Sequence, residues 1–139
     1  MAEPGKYWSF ITAHAGNASM AGSTPSTRTA FLIVDSSLPY RGGRNHTTFL
    51  GRPWGPLATV IYKNCWMGGH IHPAGWTAGR VDVAHVLYAE FNSSGPGASA
   101  GTRASFSRQL TPQQAQIWNV SSVLRGWLPD THAHYPAWE

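Results

Sequence analysis

The chain is poor in the groups that narrow a function most quickly. It holds one cysteine among 139 residues, so no internal disulfide can form. Cys65 follows Tyr62-Lys63-Asn64 in a strand-like run, where a buried free thiol is expected rather than a nucleophile. No apolar run approaches the length that spans a bilayer, so no membrane partner is expected. The N-terminus, Met1-Ala2-Glu3-Pro4-Gly5-Lys6, lacks the shape of a signal peptide. Charged residues make up only 12% of the chain, six acidic against ten basic. Arg41 and Arg44 are the one close basic pair, and no basic run exists, which argues against a nucleic-acid role. The modest basic excess suits a polyanionic partner, an acidic polysaccharide or a nucleic acid, but compels neither. No Gly-x-Ser-x-Gly elbow is present for a serine esterase. His70 and His72 would share a strand face, and His132 and His134 repeat that spacing. No acid or cysteine stands near either pair, so surface or packing histidines are expected, with no metal and no cofactor.

Gly, Pro, Ser and Thr are plentiful, which favours strands and turns over long helices. Strand-like runs fall near Ser9–His14, Thr29–Asp35, Thr47–Leu50, Thr59–Tyr62 and His85–Phe91, with a shorter one near His70–His72. Ala30-Phe31-Leu32-Ile33-Val34 and Ala58-Thr59-Val60-Ile61-Tyr62 are apolar without alternation. Such runs suit strands buried on both faces or stacked in parallel. Irregular coils of about twenty residues would give this texture, and so would a sandwich. Gly16–Ser26 and Asn92–Gly101 read as excursions from the main elements. One helix start is well marked. Thr111 can cap, Pro112 suits the first turn, and Gln114 can close a capping box, so a helix is expected to about Trp118. The tail Asp130–Glu139 carries no pattern.

Four of the five asparagines lie in Asn-x-Ser/Thr sequons: Asn17, Asn45, Asn92 and Asn119. They are candidate glycosylation sites and point to an extracellular setting, although turn-rich sequences also generate sequons freely.

The most informative stretch is Leu50-Gly51-Arg52-Pro53-Trp54. Pro53 fixes φ between a guanidinium and an indole. Residues two apart in an extended segment point to one face, so Arg52 and Trp54 can stand side by side. A planar cation beside a flat ring suits a sugar carrying a carboxylate or ester. The alternative is an arginine that caps carbonyls and a tryptophan at the edge of the core.

Further blocks follow in order: Ile71-His72-Pro73-Ala74-Gly75-Trp76, Leu87-Tyr88-Ala89-Glu90-Phe91-Asn92, Gly95-Pro96-Gly97-Ala98 and Leu124-Arg125-Gly126-Trp127-Leu128-Pro129. Together with Phe10-Ile11-Thr12-Ala13-His14, they resemble the C-terminal half of the catalytic domain of pectinesterases (pectin methylesterases), from about Phe10 to about Pro129. The resemblance implies an all-β fold: part of a right-handed parallel β-helix, its C-terminal coils, followed by a short helix and an irregular tail. It treats residues 1–139 as a single partial domain.

It also implies chemistry. Pectinesterases hydrolyse methyl esters of homogalacturonan with one aspartate as nucleophile and a second as acid, then base. The arginine matching Arg52 holds the nucleophile ionised, and the tryptophan matching Trp54 packs on the galacturonate ring. Trp76 either lines the same cleft or belongs to the core. Trp8, Trp66, Trp118, Trp127 and Trp138 are expected in the core or tail. The family's aspartates lie upstream of the Ile-Thr-Ala block, in motifs that this chain does not match. Of its internal acids, Asp35 reads as a turn residue and Glu90 as a structural partner for an arginine; Asp82 and Asp130 match no family catalytic position.

Three readings follow. The chain is the C-terminal portion of a pectinesterase, inactive alone and completed by an N-terminal half. Otherwise it is a non-catalytic module that binds acidic polysaccharide, or a gene fragment without function of its own. A β-helix cut across its middle would expose the edge of Ser9–His14, so poor solubility or pairing with another chain is expected.

Overall fold

The computed structural model describes residues 8–16, 29–40, 42 and 44–127. Three groups of parallel strands stack side by side. In the first, β1 (Ser9–His14) pairs with the strand Thr48–Pro53, which is β4 in chain order. The second sheet runs β2 (Phe31–Val34), β5 (Thr59–Lys63), β7 (Leu87–Phe91) and β8 (Arg108–Gln109). The third pairs β3 (Ser37–Leu38) with β6 (Trp66–Met67). Isolated bridges carry the outer two groups one turn further: Thr48 to Ile71 and Gly51 to Trp76 in the first, Trp66 to Ser94 in the third. The chain therefore winds through the same three faces in every turn. This is a parallel β-helix, as the resemblance implied.

Turn length is irregular: 19 residues separate Ala89 from its partner Arg108 and 23 separate Thr48 from Ile71, while other turns are longer. Ser9 lies beside Thr48, Phe31 beside Val60, and Val60 beside Tyr88, so a turn takes 28 to 39 residues at these points. The connections between sheets bow outward and add length without adding rungs. Ser94, inside the expected excursion Asn92–Gly101, is itself a rung of the third sheet. The two-residue strands β3, β6 and β8 carry too few side chains to show a period in sequence.

The unbroken apolar runs now have a cause. Inside the coils, Leu50, Val60, Tyr62, Met67, Ile71 and Trp76 form one buried cluster with Tyr88. On the opposite face of the same strands, Ile61, Leu87 and Ala89 are covered by Trp118. Strands β5 and β7 are thus buried on both sides, and neither face can be polar. Each such side chain contributes about 1.5–3 kcal/mol on burial.

The cover over the second sheet is helical. Helix α1 (Pro112–Ile117) starts as the sequence predicts: Thr111 Oγ1 accepts from the Gln114 amide, and the Thr111 amide donates to Gln114 Oε1. Lys63, at the end of β5, donates to the carbonyls of Ala115 and Trp118 at 2.7 Å each. A cation there satisfies carbonyls that the helix end leaves open. A second helix, α2 (Val120–Val123), was not expected from sequence; Asn119 caps it through a bond from the Ser122 amide. Among the described residues, β1, β2 and β3 each have a strand neighbour on one side only. Beside them lies an apolar hollow lined by Ile11, Phe31, Ile33, Val120 and Val123.

One outer turn repeats through three coils. Asp35, Asn64 and Asn92 all take positive φ, at 49°, 53° and 52°. Asn92 Nδ2 donates to Asn64 Oδ1 at 3.0 Å, and Asn64 Nδ2 donates to Asp35 Oδ1 at 2.8 Å. Asx residues tolerate this backbone region, and their side chains pair up the stack. Asp35 is a turn residue, as expected.

Candidate active site

Arg52 is placed by the first sheet. Its neighbour Gly51 lies between Thr12 and Trp76, with which it is in register. A Cβ at Gly51 would come within 2.6 Å of Thr12 Oγ1 and 2.9 Å of Trp76 Cζ3. Only glycine lets the indole pass beneath this strand. Pro53 then ends β4, and the Trp54 amide donates to the His14 carbonyl at 3.0 Å. His14 ends β1. Its Nδ1 accepts from the Thr59 amide at 2.9 Å, and its ring lies against Phe31. It therefore clamps the corner that leads into β5. Burial holds the imidazole below its ordinary pKa.

Arg52 is half-buried, and its guanidinium carbon lies 5.7 Å from the centre of the Phe10 ring. Gly79 packs beside it; a Cβ there would sit 3.3 Å from Arg52 Nε. Arg52 Nε is shut off from solvent and has no hydrogen-bond partner among the described residues. Trp54 is 71% exposed, which leaves its ring open to a ligand. The described acids are engaged elsewhere. Asp35 accepts from Asn64, and Asp82 Oδ1 accepts from the Ala84 amide. Glu90 is buried and ion-paired with Arg103 at 2.7 Å. This is the arginine partner that sequence reasoning assigned to Glu90. Asp130 lies outside the described residues.

Trp76 needs correction as a candidate sugar platform. It is 1% exposed, stacks on Tyr88 at 4.4 Å and donates through Nε1 to Glu90 at 3.4 Å. Its large apolar ring finds its cover inside the coil, so the core alternative holds. Trp118 is buried as expected, whereas Trp8 and Trp66 are exposed rather than core residues. Trp127 is exposed near the tail, and Trp138 lies outside the described residues.

The structure adds residues that sequence reasoning missed. Phe10 stacks on its register partner Phe49 with centroids 5.8 Å apart. Phe49 stacks on His72 at 4.4 Å, and Trp8 leans on both Phe49 and His72. These rings cross three successive turns on the surface that carries Arg52. Their separations along the chain differ from turn to turn, so no period marked them. His70 turns the other way and stacks on Tyr40.

The sequons fare differently. Asn45 is exposed in a turn. Asn92 Nδ2 is held in the side-chain ladder, and Asn119 is occupied as a helix cap. Asn17, His132 and His134 lie outside the described residues. Cys65 is buried and free, and burial raises its thiol pKa. Among the described residues, no group of three or more His, Cys, Asp or Glu is placed to hold a metal ion.

Comparison with known proteins agrees with this architecture. The family model "Pectinesterase" matches residues 5–127. Pectinesterase 2.2 of Solanum lycopersicum is 29% identical over 140 residues, covering 96% of this chain and 26% of its own length. Pectinesterase 3 of Phaseolus vulgaris is 29% identical over 120 residues, covering 80% of this chain and 21% of its own. The probable pectinesterase/pectinesterase inhibitor 16 of Arabidopsis thaliana is 36% identical over 91 residues, covering 60% and 18%. This chain therefore spans between 18% and 26% of the length of these relatives. The crystal structure of the pectin methylesterase from Aspergillus niger superposes with a TM-score of 0.56 at 30% identity, covering 68% of this chain and 30% of that one. The coil order, the Arg52 strand and the family match converge on one conclusion: the chain belongs to the pectinesterase family.

Proposed function

We propose that this chain supplies the arginine-and-indole wall of a site that hydrolyses methyl esters of homogalacturonan. The observation that carries this reading is the enclosed Arg52 Nε, unpartnered among the described residues, two positions along the chain from the exposed Trp54 ring. A carboxylate placed against that guanidinium would take parallel N–H bonds and stay ionised, as a nucleophile must. The described acids all have other partners, so the attacking and proton-donating aspartates come from outside the described residues, in a further segment that carries the earlier coils. Pectin is the substrate, and the setting is extracellular, which the exposed Asn45 sequon supports.

Two assays test this. The purified chain, given methylated pectin, should release no methanol. It should be retained on polygalacturonate, with retention lost in Arg52→Ala and Trp54→Ala. Methanol release by the isolated chain that disappears in Arg52→Ala would show that the site is already complete. A second reading, a non-catalytic module for acidic polysaccharide, draws on the same exposed Trp54. It gains if the chain is retained on pectin yet stays inactive when a segment carrying the family's aspartates is supplied.

A further inference from the structure

The Phe10–Phe49–His72 ladder has a property that its apolar members do not share. Phe49 is stacked between Phe10 and His72, so both of its faces are occupied. Trp8 leans on one side of the Phe49 and His72 rings, so the part of the ring edge that Trp8 leaves uncovered is what remains for a ligand. Aromatic edges carry partial positive charge and favour oxygen atoms. At the His72 end, that edge includes a ring nitrogen.

The tautomer of His72 is set by its own turn. The Ala74 amide donates to His72 Nδ1 at 3.1 Å. With Nδ1 accepting, the imidazole proton sits on Nε2, and Nε2–H is a donor. Two conditions favour the neutral ring. Protonating Nδ1 would break the bond to Ala74. Burial, and then the neighbouring His46, hold the His72 pKa below its ordinary value. Arg103 faces the same turn through Nη1, which donates to the His72 carbonyl at 3.4 Å, but its charge is matched by Glu90. His70 packs away against Tyr40.

The surface thus has two unlike ends. Arg52 is a full cation lying over Phe10. Two turns along from Phe10, roughly 10 Å at the usual strand spacing, His72 is a neutral donor. A full cation favours an ionised carboxylate. A neutral N–H on an aromatic edge satisfies a carbonyl or hydroxyl oxygen but gives little return for stripping water from an anion.

We propose that the His72 end of the ladder is a subsite for a galacturonate residue in its methyl-ester form, with His72 Nε2–H donating to an oxygen of that sugar. This deepens the reading given under Proposed function and rests on it. The ester preference belongs to the ladder, whereas affinity for the chain as a whole also needs Arg52 and Trp54.

The test compares fully methyl-esterified hexagalacturonate with the free hexagalacturonate, by calorimetry on the full chain at pH 7.5. The wild type should favour the ester. His72→Phe keeps the stack and removes the donor; it should weaken ester binding about fivefold, the effect of one hydrogen bond. His72→Arg adds a permanent cation and should swing the preference toward the free acid. Unchanged melting of both variants shows that the fold is intact. Ester binding untouched by His72→Phe would overturn the subsite. If binding still requires Arg52 and Trp54 in that event, the broader reading stands. If the wild type binds neither oligomer, or binds both independently of Arg52 and Trp54, the broader reading falls as well.

Discussion

Arg103 and Glu90 form a two-point ion pair inside the coil, with Nε to Oε2 at 2.7 Å and Nη2 to Oε1 at 3.0 Å. The same guanidinium donates to the carbonyls of Pro73 and Gly97, and Trp76 Nε1 approaches the same carboxylate. One ion pair therefore joins three successive parts of the chain behind the candidate site. Arg103→Ala would leave Glu90 buried and uncompensated, at about 3–5 kcal/mol. Denaturant melts should show that loss, with a smaller loss when Glu90→Gln is added to the same chain.

The side-chain ladder on the outer turn has a separable backbone component. Asn64→Ala removes both rungs, to Asp35 and to Asn92, and places alanine at φ 53°. The expected destabilisation is about 2 kcal/mol, from the strained backbone and lost hydrogen bonds together. Asn64→Gly loses the rungs but relaxes the backbone, so its midpoint in urea should lie between those of wild type and Asn64→Ala.

Gly51→Ala probes the packing beneath the Arg52 strand. The added methyl meets Thr12 Oγ1 and the Trp76 ring closer than real Cβ contacts allow. Overpacking of this kind costs about 1–3 kcal/mol. A lower Tm, with an altered near-ultraviolet tryptophan signal, should accompany weakened retention on polygalacturonate. Near-wild-type melting would show that the strand can shift without loss.

Stability should fall as the pH drops below the ordinary histidine range. The folded pKa of His14 is held below 6.5 by burial. The unfolded chain therefore takes up protons first on acidification. The stabilisation is complete above the unfolded value and is lost as the pH falls toward the folded one. Protonation of Nδ1 would also release the Thr59 amide. His14→Gln should flatten the dependence of Tm on pH between 7.5 and 5; an unchanged slope would assign the titration to another group such as His72.

Glycosylation offers a positional check. Expressed through a secretory route, the chain should carry a glycan at Asn45 that does not alter melting. The Asn92 amide is engaged with Asn64, so a glycan there should lower Tm. Glycopeptide mass spectrometry, with melting of Asn45→Gln and Asn92→Gln, separates the two.

Much of this molecule was legible in its residues. The Leu50–Trp54 block and its companions named the family, because they are local strings read without knowledge of the fold. Thr111, Pro112 and Gln114 announced α1, since a capping box is satisfied within four residues. The unbroken apolar run at β5 reported a strand that packs in parallel between two covers, whereas the similar run at β2 pairs in parallel but stays partly exposed at the sheet edge among the described residues. Glu90 was identified as an arginine's partner, although nothing in sequence named Arg103.

Tertiary structure decided the rest, and the reason is register. Trp54 and Trp76 are equally aromatic and both stand next to a glycine. One is exposed and the other stacks on Tyr88 in the core, because Gly51 leaves room beneath its strand for Trp76 alone. Phe10, Phe49 and His72 become neighbours only when coils of unequal length bring them side by side. Asn92, a sequon by its string, is a rung by its position. Each depends on which residue of one turn faces which residue of the next, and that is set by loop lengths and packing summed over the whole coil, not by any local string.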